Sequence, residues 1–132
     1  MVKKSLLVTN NYVKIKAPSQ QVLYCSCLDD HSLFDHITLT TKNYETIINS
    51  NLLYAVTTLS GLGMAFFQAG EEFLRTKNLV KNSYSQSDYI NKLDWQRREE
   101  YNEVVETYKT LIKLRKENEN FSLDSPNPDM EC

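Results

Sequence analysis

The chain predicts an α/β fold laid down in the order strand, helix, strand, helix. Two observations carry that reading. Val22-Leu23-Tyr24-Cys25-Ser26-Cys27 and Gly63-Met64-Ala65-Phe66-Phe67-Gln68 are short β-prone runs, and each precedes a segment with helical apolar spacing. A third observation excludes the main competitor. With three glycines and three prolines in 132 residues, the chain lacks the turn residues that an all-β sandwich needs.

The first stretch, residues 1–21, reads as an irregular basic lead-in with Pro18 and Ser19 as a turn signal. The run Val22 to Cys27 is apolar at nearly every position, as a strand covered on both faces would be. It ends in the polar cluster Leu28-Asp29-Asp30-His31-Ser32, the start of a loop expected to run to His36. Ile48, Leu52, Ala55, Val56 and Leu59 then recur at helical spacing, with Asn43 as N-cap and Gly61 as the stop. After the second strand comes a long polar loop from Gly70 to Leu93 without apolar period. Asp94 caps the strongest helix, whose stripe is Tyr101, Val104, Val105, Tyr108, Leu111, Ile112 and Arg115. The tail from residue 122 holds Pro126 and Pro128 and is expected to fray.

Composition narrows the function classes. At 41% hydrophobic and 24% charged, the chain can build a core, and a formal net charge of −2 offers no field for nucleic acid or an anionic membrane. The longest uncharged segment, Asn49 to Gly70, is interrupted by Thr57, Thr58, Ser60, Gly61, Gly63 and Gln68, so a buried helix and strand explain it better than a bilayer span. Lys3 and Lys4 precede only Leu6, Leu7 and Val8, too short for a secretory core, and a cytoplasmic location is expected. Three cysteines, with Cys25 and Cys27 in an apolar run, read as free buried thiols in a reducing compartment. Without a neighbouring base they make no nucleophile. Gly61 and Gly63 make no phosphate loop, since no Lys-Ser/Thr follows.

Strands joined by a helix are expected to be parallel, so the loops that follow them share one edge of the sheet. That edge is where α/β proteins place ligand chemistry. The topology therefore brings Leu28–His36 beside Ala69–Leu93. The first loop carries Asp29, Asp30, His31, Asp35 and His36. His31 and His36 match no zinc spacing, so no metal is assigned. A solvated capping loop is the plain reading. The chemical one sets Asp29, just beyond the strand, as a carboxylate that stabilises a cationic transition state. The second loop mixes Glu71, Glu72, Arg75, Lys77, Asn82, Tyr84, Asp88, Asn91 and Trp95. Amides, carboxylates and rings in such a mixture suit sugars; the competing reading is an ordinary loop whose Arg75 pairs with Glu71 or Glu72.

A longer pattern runs through these loops. Gln68-Ala69-Gly70-Glu71-Glu72-Phe73-Leu74-Arg75-Thr76-Lys77, then Asn82-Ser83-Tyr84, Asp88 and Asn91-Lys92-Leu93-Asp94-Trp95, resembles the type I pullulanases. The likeness continues through Arg97, Glu100-Tyr101, Tyr108-Lys109 and Leu111 to Lys116. Upstream, Pro18-Ser19-Gln20 and Tyr24 to Asp35 resemble the fourth conserved region of the α-amylase superfamily of glycoside hydrolases.

The resemblance implies that residues 22–121 are the seventh and eighth units of a (β/α)8 barrel that cleaves α-1,6-glucosidic bonds in pullulan, starch or glycogen with retention. It implies no cofactor. Asp29 takes the place of the family's transition-state-stabilising Asp. Asp30, Arg75, Asn82, Tyr84 and Asp88 are the candidate sugar contacts, and for Arg75, Asn82, Tyr84 and Asp88 a structural role in pinning the loop is an equal alternative. Two departures stand beside it. Leu28 occupies the position of the family's His, and Asp30 that of its usual Asn. Losing a donor that tightens in the transition state costs on the order of 2–4 kcal/mol. A closed barrel takes ~250 residues, and the expected nucleophile and acid/base belong to earlier units. The expectation is therefore a fragment that is inactive alone and that associates with the missing barrel units or with itself. The alternative is a non-catalytic carbohydrate-binding or assembly module derived from such a barrel.

Overall fold

The computed structural model describes residues 17–122. A 3-10 turn at Pro18–Gln20 leads into β1 (Val22–Leu23). Two helices follow, α1 (Leu33–Thr38) and α2 (Tyr44–Ser60), and then β2 (Met64–Ala65). Further 3-10 turns lie at Glu71–Phe73, Ser83–Ser85 and Glu119–Ser122. Between them run α3 (Asp88–Asn91), α4 (Trp95–Glu100) and α5 (Asn102–Glu117). The strands pair in parallel with Val22 opposite Met64 and Leu23 opposite Ala65, as the helical crossover requires. Most of the expected lead-in and the tail beyond residue 122 lie outside the described residues.

Local signals explain the helices. The Asn43 side chain accepts from the Thr46 amide at 2.8 Å and starts α2; the Asp94 side chain accepts from the Gln96 amide at 3.1 Å and starts α4. Each satisfies a donor that a helix start leaves unpaired. The α5 stripe faces the core as spaced: Val104, Val105 and Tyr108 are buried and Leu111 and Ile112 pack beside them. Arg115 completes the stripe differently. Its guanidinium donates to the carbonyls of Leu59 (2.9 Å), Gly61 (2.7 Å) and Gly63, clamping the α2–β2 turn. The main core is Ala55, Leu59, Leu74, Val104 and Tyr108; a second cluster joins Leu33, Ile37 and Ile47.

Six expectations are corrected. The ladders are two residues long, not six: among the described residues each strand has one neighbour and nothing pairs its other edge. The strands are not covered on both faces: Val22, Tyr24, Met64 and Phe66 are 48, 56, 59 and 42% exposed. Cys25 is exposed and Cys27 half-buried, both free, where buried thiols were expected. The buried face of α2 is Ile47, Asn51, Ala55, Thr58 and Leu59, a quarter-turn away from the apolar stripe; Val56 is exposed. The Asn51 amide oxygen accepts from the Tyr108 hydroxyl at 3.2 Å, while its Nδ2 has no partner among the described residues. The expected loop to His36 ends instead in α1, where the Ser32 hydroxyl caps the Asp35 amide at 3.2 Å and Leu33 and Ile37 are buried. The predicted final helix is two helices broken at Tyr101 (φ −107°, ψ 34°). Its amide still reaches the Arg97 carbonyl at 2.8 Å, and its ring lies 5.0 Å from the Arg97 guanidinium.

Gly61 ends α2 without a left-handed cap, at φ −75°. A side chain there would run into the Leu23 side chain of β1, so the residue is small to let strand and helix touch. Gly63, at φ +115°, is the turn position that needs glycine.

Candidate functional site

The loops that follow β1 and β2 meet, as the parallel order predicts. Three consecutive carbonyls of the first loop are captured by the second. Lys77 Nζ donates to Leu28 O at 3.1 Å and to Asp30 O at 2.5 Å; the Asn82 amide donates to Asp29 O at 3.0 Å. In return Asp35, on α1, accepts from the amides of Lys77 (2.7 Å) and Leu79 (3.2 Å) and from the Thr76 hydroxyl (2.5 Å). Lys77 and Asp35 are each 2% exposed.

The predicted site residues divide by what already occupies them. Asp29 is exposed, and no bond from a described residue holds its carboxylate. Asp30 is paired with Lys81 at 2.9 Å and caps the His31 amide at 2.8 Å. The Lys81 hydrogen bond and that amide hold the Asp30 carboxyl below its ordinary range. Arg75 is committed to the fold, donating to the carbonyls of Asn91 (2.6 Å) and Ala69 (3.3 Å). It pairs with neither Glu71 nor Glu72. Asn82 sits at φ 47°, opening the Ser83–Ser85 turn with its side chain exposed. Tyr84 is 85% exposed and Asp88, at the start of α3, is also exposed. Leu28 presents an exposed aliphatic side chain immediately before Asp29.

A shallow cleft of about 130 Å³ lies beside these loops, lined by Arg75, Thr76, Asn78, Tyr89, Lys92, Asp94 and Arg97. Of the predicted site residues, only Arg75 borders it. Among the described residues no group of three or more His, Cys, Asp or Glu could hold a metal ion. No helix of the described residues is long and apolar enough to cross a membrane.

Several polar residues shape the site in ways the sequence pattern did not assign to them. Glu71 is buried and accepts from the Ser26 hydroxyl and from the Gln68 amide at 3.1 Å; Gln68 donates its side chain to Ser26 at 2.8 Å. Burial pushes the Glu71 carboxyl up, against those hydrogen bonds. Asn91 staples the Ser83–Ser85 turn to α3, donating to the carbonyls of Ser83 (2.7 Å) and Gln86 (3.1 Å). Burial raises the Cys25 thiol pKa, and its hydroxyl neighbour Thr58, 3.1 Å away, supplies no base.

The fold is that of an α/β protein with an exposed carboxylate on a pinned turn beyond the carboxyl end of a parallel strand, the edge at which such folds place ligand loops. Comparison with known proteins narrows the class. The chain is 39% identical over 113 residues to the pullulanase of Bacillus subtilis, covering 84% of this chain and 16% of the relative. The crystal structure of pullulanase type I from Bacillus subtilis complexed with maltose superposes with a TM-score of 0.80 at 36% identity, over 87% of this chain and 17% of that one. The Paenibacillus barengoltzii pullulanase, in complex with maltohexaose and α-cyclodextrin, gives a TM-score of 0.83 at 34% identity, over 94% of this chain and 20% of that one. No family model matches the sequence. The chain belongs to the pullulanase family, and it spans less than a fifth of the length of the Bacillus subtilis protein.

Proposed function

We propose that residues 22–121 are the seventh and eighth strand–helix units of a pullulanase-type (β/α)8 barrel of the α-amylase superfamily. In that barrel the chain contributes to hydrolysis of α-1,6-glucosidic bonds in pullulan, starch or glycogen. Asp29 is the carboxylate that faces the oxocarbenium-like transition state. One observation carries the reading: of the carboxylates in the first loop, Asp30 is paired with Lys81, Asp35 is buried in amide bonds, and Asp29 alone is exposed and uncommitted. Asn82, Tyr84 and Asp88, exposed on the facing loop, are the sugar contacts; Tyr84 offers a ring face for stacking. Asp30 and Arg75 reach substrate only by giving up their present partners.

The chain alone is not a competent glycosidase in this reading. A retaining glycosidase needs a nucleophile and an acid/base carboxyl group about 5–5.5 Å apart, and those groups belong to the preceding units. The glucan and the rest of the barrel are the partners. A second reading, a non-catalytic glucan-binding module, is favoured by Leu28, which places an aliphatic side chain where a donor to the sugar would help.

The test combines the chain with a separately produced segment carrying the six preceding units and measures reducing sugar released from pullulan. The chain alone should release none, the combination should turn over, and Asp29→Asn should abolish that turnover while leaving assembly intact. Turnover by the isolated chain overturns the requirement for the other units. Maltotriose binding without turnover in the combination selects the module.

A further inference from the structure

We propose that Lys77 is a positioning residue for Asp29: its ammonium grips the carbonyls on either side of that residue and sets the direction of the exposed carboxylate. The inference rests on the role given to Asp29 above.

The geometry is a closed circuit. Leu28, Asp29 and Asp30 form the turn after β1, with the Asp30 amide on the Cys27 carbonyl at 3.2 Å. Lys77 Nζ bridges the first and third carbonyls of this turn, and the Asn82 amide takes the middle one. No carbonyl of the turn is left to rotate towards water. The peptide planes on both sides of Asp29 are therefore held, and its Cα–Cβ direction with them. The base of the lysine is held equally firmly, since Asp35 binds the Lys77 amide. α1 thus anchors the second loop, and the second loop returns a side chain to the first.

Packing alone does not call for this residue. An ammonium at 2% exposure carries a desolvation cost that a methionine of similar length would avoid. Among the described residues it forms no salt bridge; its partners are the neutral carbonyls of Leu28 and Asp30, which fix where the ammonium sits beside Asp29. The loop that delivers it is itself wound unusually tightly. Leu74, Asn78, Leu79 and Asn82 all adopt left-handed backbone conformations, with φ between 47° and 62°. Residues with side chains enter that region at a cost unless surrounding bonds impose it, and such strain gathers where a site must be held.

The test uses Lys77→Met and Lys77→Arg in the chain combined with the six preceding units. Lys77→Met should lower kcat on pullulan about 10²-fold, the cost of a displacement near 1 Å at a reacting centre, with KM unchanged. Lys77→Arg, which keeps the charge and donors, should recover part of that loss. Amide exchange at Asp30 and His31, followed in the chain itself, should accelerate in Lys77→Met while α2 and α5 stay protected. Unchanged exchange at those amides or unchanged kcat overturns the proposal. An Asp29→Asn variant that keeps its activity instead overturns the role of Asp29, whatever Lys77 does.

Discussion

The helical side and the sheet side of this molecule are finished to different degrees. Between α2 and α5, Ala55, Leu59, Val104 and Tyr108 are nearly inaccessible, and Tyr108 finds a buried partner for its hydroxyl in Asn51. On the sheet side, Val22 and Met64 pair across the two strands, Tyr24 and Phe66 follow directly after the strand ends, and all four stay about half exposed. Tyr24 and Phe66 touch edge to face with centroids 6.3 Å apart, and nothing among the described residues covers them. The same apolar residue types are core on one side and surface on the other. The contrast teaches that this chain completes its outer helical layer and leaves its sheet open, as a segment of a larger α/β domain would.

Substitutions of similar size should separate the two sides. Leu59→Ala, in the finished core, should cost about 3 kcal/mol in urea unfolding, from lost burial and the cavity left behind. Next comes pH. Glu71 has a raised folded pKa, so the folded state holds its proton above pH 4.5, where the unfolded chain has begun to release it. The native state then binds more protons than the unfolded one, and stability falls as pH rises from the ordinary carboxylate range through that raised value. Glu71→Gln should flatten this part of the stability–pH curve; a slope identical to that of the unmodified chain would show that Glu71 does not titrate there. On the open face, Phe66→Ser should change stability by less than about 0.5 kcal/mol. Its effect should appear instead as weakened association with the six preceding units in sedimentation. An unfolding cost as large as that of Leu59→Ala would erase the contrast. Smallest of all, Lys81→Ala removes a solvent-exposed pair with Asp30 and should leave the melting temperature unchanged.

Much of the architecture was legible locally. Asn43 and Asp94 are caps because a short polar side chain before a periodic run pairs a free helix amide, a matter of three residues. The Tyr101–Arg115 stripe reads from helical geometry alone. The meeting of the two loops followed from strand order, without knowledge of any side chain. Less was visible in the site. Asp29 stood out as the residue after a strand, but nothing local distinguished Asp30, now bound to Lys81, from a sugar ligand. Arg75 looked like a partner for neighbouring carboxylates, whereas it spans 16 residues to the Asn91 carbonyl.

By itself, the sequence determined where helices begin, which α5 face turns inward, and that the two strands run parallel, because those properties depend on short-range geometry and connectivity. Only the tertiary structure decided that Lys77 and Asp35 are the fasteners of the site. Their partners lie 41 to 49 residues away in the chain. A buried ammonium held by carbonyls has no spacing rule, and it becomes recognisable only when folding removes water from both ends of the contact.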